Sequence, residues 1–249
     1  MVRDIFLTMN EFLNIDPSLL KYIQESLAQV NQVLKAFQNS FNKTIDELKK
    51  MPESTRFLAD QGWYLPLSVT PFQVSELINT NNSDILDRKM MLLIDNEINY
   101  IESELTKKFP NRKNPIQSGI RAHRNKEYYL SIPVFFAQIE GICKELTGLR
   151  FFATRNGEPK TELWATDINQ DSILNLFLEP LRIIGKTREK QNPENPLGIN
   201  RHDVLHGDSI DYGESGINSY KALSLLNYMS ETVFKAKQFL KNPADDLGV

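Results

Sequence analysis

Apolar residues recur at alternating spacings of three and four through Leu20, Ile23, Leu27, Val30, Leu34, Phe37 and Phe41, with Leu48 one heptad further on. This is a heptad seam, and it predicts a long helix opening after Asp16-Pro17-Ser18. At ~1.5 Å per residue such a helix runs for about 45 Å, too long for a compact core to bury alone. Its seam therefore needs a partner. Met90, Ile94, Ile98, Ile101 and Leu105 repeat the spacing, so 84–109 is the expected partner in an antiparallel helical hairpin. An intermolecular coiled coil is the alternative. Gly62-Trp63-Tyr64-Leu65-Pro66 interrupts the pattern and is expected to pack its aromatics over the hairpin.

The cluster Phe109-Pro110-Asn111-Arg112-Lys113-Asn114-Pro115 predicts a domain boundary, with 1–112 as an assembly or regulatory region and 113–249 as a second domain. Beyond it, Tyr128, Ile132, Phe135, Phe136, Ile139, Ile142, Cys143 and Leu146 form a broad apolar helix that Pro133 should kink. Asn156-Gly157 predicts the tight turn of a small β-hairpin within 150–164. Further helices are expected over 172–185 and 218–240, with a polar loop over 187–198. The fold class is all-α, with that one hairpin.

Composition narrows the functional classes. Hydrophobic residues make up 41% and charged residues 24%, the balance of an ordinary globular protein. The net charge of −3 leaves any nucleic-acid contact to a local patch, because non-specific binders are strongly basic. The single cysteine, Cys143, rules out an internal disulfide, and its place on an apolar helix face predicts core packing rather than nucleophilic chemistry. The first residues do not read as a signal peptide, and no stretch is apolar enough to span a membrane. A cytoplasmic location is the expectation.

Two of the three histidines fall within Asn200-Arg201-His202-Asp203-Val204-Leu205-His206-Gly207. Asn at the start and Gly at the end suit the two caps of a short helix. On it, His202 and His206 share a face, whereas Arg201 lies about 140° from His206. A guanidinium fork and imidazoles suit a phosphodiester: one holds phosphate oxygens, the others move protons. The two histidines also have the spacing of zinc ligands on a helix. Asp203 stands where a metalloprotease carries Glu, however, and no cysteine is close in sequence, so no metal or other cofactor is expected. The remaining alternative is that these residues only cap the helix.

Asn200-Arg201-His202-x-x-x-His206-Gly207, with Asp211-Tyr212-Gly213 and a long amphipathic helix after it, resembles the HEPN superfamily of nuclease domains. The signature of that superfamily is Arg, four to six residues, then His, with a polar residue after the Arg; here that residue is His202. The resemblance covers roughly 115–241. It implies an all-α bundle of four to five helices and a metal-independent endoribonuclease acting as a homodimer. The implied setting is antiviral defence or a toxin–antitoxin pair, with an antitoxin or regulatory partner. Attack of the RNA 2′-hydroxyl on the adjacent phosphate would leave a 2′,3′-cyclic phosphate. In that reading His206 is general base or acid, Arg201 stabilises the phosphate charge, and His202 takes the second proton or orients the phosphate.

Gln138-Ile139-Glu140-Gly141 resembles the earlier helix of such domains, and Glu140 is expected to pair with Arg201. Asn200, Arg121, Arg124, Lys126, Lys186, Arg188 and Lys190 are the candidate RNA contacts, and His123 reads as a surface residue. The runner-up is a non-catalytic helical module that binds RNA or protein in a defence system.

Overall fold

A computed structural model describes residues 16–80, 82–168, 173–183 and 199–241. The expected loop over 187–198, Lys186, Arg188 and Lys190 lie outside them. The fold is all-α with one two-residue β-ladder. No helix among the described residues is long and apolar enough to cross a membrane. The chain divides into two compact units, Met1–Asp46 and Glu47–Val249.

In the first unit the expected helix start is present. Asp16 accepts the Ser18 N–H at 2.8 Å, which holds its carboxyl below the usual range, and Pro17 opens helix α1, Pro17–Asp60. The seam side chains Leu27, Val30, Leu34, Phe37 and Phe41 are 42–69% exposed.

The second unit has its own core. Helices α2 (Pro71–Ile78) and α3 (Ser83–Lys108) precede α4 (Lys113–Arg124) and α5 (Tyr128–Thr147). Asn82 caps α3 through the N–H groups of Asp84 and Ile85. The stripe Leu86, Met90, Ile94, Ile98, Ile101 and Leu105 is buried, and α3 packs on α4 and on the later helix α9, Gly216–Tyr228. The stripe expected to close against the first helix is therefore consumed inside this unit. Trp63 and Tyr64 are buried in the same core: the Trp63 indole donates to Asp87 at 2.7 Å, and Tyr64 packs against Phe151 and Tyr228.

The expected boundary at 112/113 also lies within that core. Pro110–Arg112 is a 3-10 turn joining α3 to α4, and Pro115 sits in the first turn of α4, where its missing N–H costs nothing. Compactness divides the chain after Asp46 instead. Helices α4 and α5 approach closely at Gly119, where a Cβ would lie 2.8 Å from the Phe135 ring.

The β-hairpin is shorter than expected. Strands β1 (Thr154–Arg155) and β2 (Glu158–Pro159) flank Asn156 and Gly157, both with positive φ as the tight turn requires. Residues 161–164, expected within the hairpin, open helix α6, Thr161–Thr166, instead. Within 172–185, the described residues form a 3-10 turn, Ile173–Phe177, and the short helix α7, Glu179–Arg182; Pro180 fits a first turn but not a helix interior. Helix α8 (Arg201–His206) follows, then α9. A π-helical turn, Met229–Val233, joins α9 to α10, Phe234–Lys241, along the span expected as one helix.

Candidate active site

Helix α8 is one and a half turns long, so its caps carry much of its definition. Asn200 accepts the His202 N–H at 2.7 Å, and Gly207, in the left-handed conformation at φ 82°, returns its N–H to the Asp203 carbonyl. Asp208 and Ser209 donate their N–H groups to that carbonyl as well. Ile199 and Val204 are buried and tie the helix to the core, and α8 packs on α5.

The loop after α8 is held by a defect in α5. Pro133 has no N–H to give the Tyr129 carbonyl four residues earlier. The Tyr212 hydroxyl donates to that carbonyl instead, at 3.1 Å, while the two tyrosine rings meet edge to face at 5.2 Å. Gly213 makes the approach possible, since a Cβ there would lie 2.6 Å from the Tyr129 ring. Asn218 secures the turn by donating to the Tyr212 carbonyl at 3.0 Å. Asp211-Tyr212-Gly213 thus positions α8 against α5.

On α8, His202 and His206 are exposed, and their ring centroids are 4.2 Å apart, as the shared face predicts. Arg201 is half-buried. Its guanidinium carbon lies 5.9 Å from the centre of the Phe152 ring, and its Nε is buried without a hydrogen-bond partner among the described residues. The expected pair with Glu140 is not formed: among the described residues no carboxylate lies within 4.0 Å of Arg201. Glu140, 9% exposed, accepts the Phe152 N–H at 3.3 Å. Phe152 therefore stands between the two, holding Glu140 with its backbone and facing Arg201 with its ring.

Gln138 and Gly141 of the same motif serve a different arginine. Arg112 donates to Gln138 at 3.1 Å and to Glu145 through Nε at 2.9 Å. A Cβ on Gly141 would fall 2.3 Å from the Arg112 guanidinium. The α5 acid that pairs with an arginine is Glu145, five residues beyond Glu140, and its partner is Arg112.

The basic candidates separate. Arg121 and Lys126 are exposed, but Arg124 is committed to Glu102 and Asn99, both at 2.6 Å. Asn200 is 3% exposed and acts as a cap; its Nδ2 is buried without a partner among the described residues. A cleft of about 660 Å³ beside α8 is lined by Asn200, Asp84, Asp87, Asp208, Asp211 and Lys221, among others. Four carboxylates against one ammonium disfavour a phosphate backbone in that cleft.

His123 is not a surface residue. It is 4% exposed, with Nδ1 2.8 Å from the Ser219 hydroxyl, which is in turn 2.7 Å from Ser131. The Tyr220 ring meets it edge to face at 4.4 Å, and the Tyr220 hydroxyl donates to Asp95 at 2.7 Å. Burial pushes the His123 pKa down to about 4, with Asp95 opposing the shift and Arg124 adding to it. Burial and the Asp95 bond hold the Tyr220 phenol above its ordinary range. Periodicity could have flagged this: the apolar residues Ile116 and Ile120 place position 123 on the same helix face.

Cys143 is buried, as its helix face predicted. Among the described residues no group of three or more His, Cys, Asp and Glu is arranged to hold a metal ion. Comparison with family models, with curated proteins and with solved structures returns no match.

Proposed function

We propose that this chain is a metal-independent endoribonuclease of HEPN type, with Arg201, His202 and His206 as its catalytic residues. The observation that carries the reading is a half-buried arginine, Arg201, with no carboxylate partner among the described residues, placed on a capped turn that also exposes two imidazoles. An unpaired cation held out of full solvent favours an anion, and a phosphodiester supplies one.

His206 takes the proton from the RNA 2′-hydroxyl as that oxygen attacks phosphorus, and Arg201 offsets the charge gathering on the non-bridging oxygens. His202 gives a proton to the departing 5′-oxygen, leaving a 2′,3′-cyclic phosphate. Glu140 acts through Phe152, not by direct pairing. Arg201 and His206 occupy different faces of one short helix, so a complete site uses both copies of α8 in a homodimer. Arg121 and Lys126 are the exposed cations nearest in character to an RNA-guiding pair. The resemblance of 200–207 to its superfamily is what brings antiviral defence or a toxin–antitoxin pair into the proposal.

A non-catalytic interaction module is the second reading, favoured by the exposed seam of α1. Incubating the full chain and its His206→Ala form with total RNA in EDTA separates the two. Cleavage by the wild type, reduced by about 10²-fold or more in the variant, is expected of general acid–base chemistry. Equal inertness of both proteins, with and without an added trigger such as phage lysate, would favour the module.

A further inference from the structure

Helix α8 holds two imidazoles at a spacing that suits a shared ion. His202 and His206 are one helical turn apart on the same face, and the caps at Asn200 and Gly207 fix that face. Both side chains are exposed, and their ring centroids lie 4.2 Å apart with the planes at 43°. Among the described residues neither ring enters a hydrogen bond or an ion pair. His123, the third histidine, is bonded to Ser219 in the core and offers an ion no surface.

Coordination geometry sets the separation that a shared ion needs. A zinc–imidazole bond is about 2.0–2.1 Å long, and the ring centre lies about 1.1 Å behind the ligating nitrogen. Two rings on one ion therefore have centres about 4.5 Å apart at a right angle and about 5 Å apart at the tetrahedral angle. The 4.2 Å of the free pair is within about 1 Å of both, a gap that rotamer adjustment of exposed side chains closes while the helix stays in place.

The donors select the ion. Imidazole nitrogen suits zinc, copper and nickel, whereas magnesium and calcium seek oxygen. Two such ligands on one capped turn act as a chelate, because the helix has already ordered the second ring when the first binds. Among the described residues no third His, Cys, Asp or Glu is arranged to complete a set, so water fills the remaining positions. Such a site is open and exchanges its ion.

We propose that His202 and His206 form an open two-imidazole site for one divalent transition ion of the zinc and copper class. The bound ion takes the lone pairs through which the two histidines would move protons, so it opposes the proposed cleavage and is not its cofactor. That inhibition rests on the nuclease reading; the binding itself does not.

Calorimetric titration of the tag-free, chelator-stripped full chain with zinc chloride tests the proposal. The wild type is expected to bind zinc through this pair, and His202→Asn and His206→Asn are each expected to weaken that binding by about tenfold or more, at least the cost of losing an outer-shell partner. Both residues are exposed, so neither substitution disturbs the core, and fluorescence from buried Trp63 checks this. Ring-proton resonances give a second readout, since the chain has only three histidines. Zinc is expected to shift two sets together and leave that of His123 in place, and magnesium is expected to shift none. A wild type that binds no zinc overturns the proposal. So does zinc affinity that either variant leaves unchanged, which would assign the ion to carboxylates, or a shift confined to one ring. RNA cleavage in EDTA is read separately, so an inert chain that binds zinc through both rings supports this site and counts against the nuclease alone.

Discussion

The three histidines occupy two regions that treat the same side chain in opposite ways. Around His123, helices α4, α5 and α9 enclose an imidazole, two serine hydroxyls and the ring of Tyr220, and the hydrogen bonds are satisfied inside the protein. On α8, two imidazoles stand in solvent on a helix defined by its caps. Burial converts a titratable ring into a structural part with a displaced pKa. Exposure on a tethered turn leaves it able to meet a substrate. Residue type alone does not choose between these fates, and the local enclosure does.

The largest expected effect on stability comes from the sealed region. The folded His123 pKa of about 4 lies below the ordinary value of 6.5, so the unfolded chain binds the proton first as pH falls. The associated stability is complete above pH 6.5 and is lost as pH drops toward 4. A depression of that size corresponds to about 3 kcal/mol, more than half of it gone by pH 5. Urea unfolding of wild type and His123→Asn at pH 7.5 and pH 5 checks this: the wild type should lose about 2 kcal/mol more than the variant. Equal losses would show that the buried ring does not titrate as its surroundings require.

Much of this architecture was legible in the sequence, for identifiable reasons. The start of α1, the caps of α8 and the turn at Asn156-Gly157 rest on local chemistry, and each is where its residues predict. Partners were harder to read. The 20–41 and 90–105 stripes share one spacing, yet the first is largely exposed and the second is buried within the Glu47–Val249 core. Periodicity defines a face and says nothing about what meets it. The same gap explains Glu140, which was matched to the wrong group: the loop bringing the Phe152 N–H to its carboxylate has no helical period to reveal it.

On α8, smaller effects are expected, because solvent can replace part of what is removed. Asn200→Ala strips the cap from the His202 N–H and should cost about 1 kcal/mol, the usual worth of such a cap. The unpartnered Nδ2 leaves with it, which offsets some of the loss. Because α8 also carries the proposed catalytic groups, the variant should lose RNA cleavage more steeply than stability. Denaturant midpoints and cleavage rates on one preparation make the comparison. A variant that cleaves like wild type would break the link between cap and site.

The smallest expected effect is a coupling of about 0.5 kcal/mol, which tests how the loop after α8 is anchored. Pro133 leaves the Tyr129 carbonyl without its helical donor, and Tyr212 fills the place from 83 residues away in sequence. Tyr212→Phe removes that donor while keeping the ring against Tyr129, so it should cost about 1 kcal/mol. Pro133→Ala restores a backbone N–H at the position that would serve the same carbonyl. In that background the carbonyl no longer depends on Tyr212, and the cost of Tyr212→Phe should fall by about 0.5 kcal/mol or more. The two substitutions are therefore coupled, and a double-mutant cycle by urea unfolding reads the coupling directly. Strict additivity would mean that the hydroxyl bond and the missing helical bond are independent.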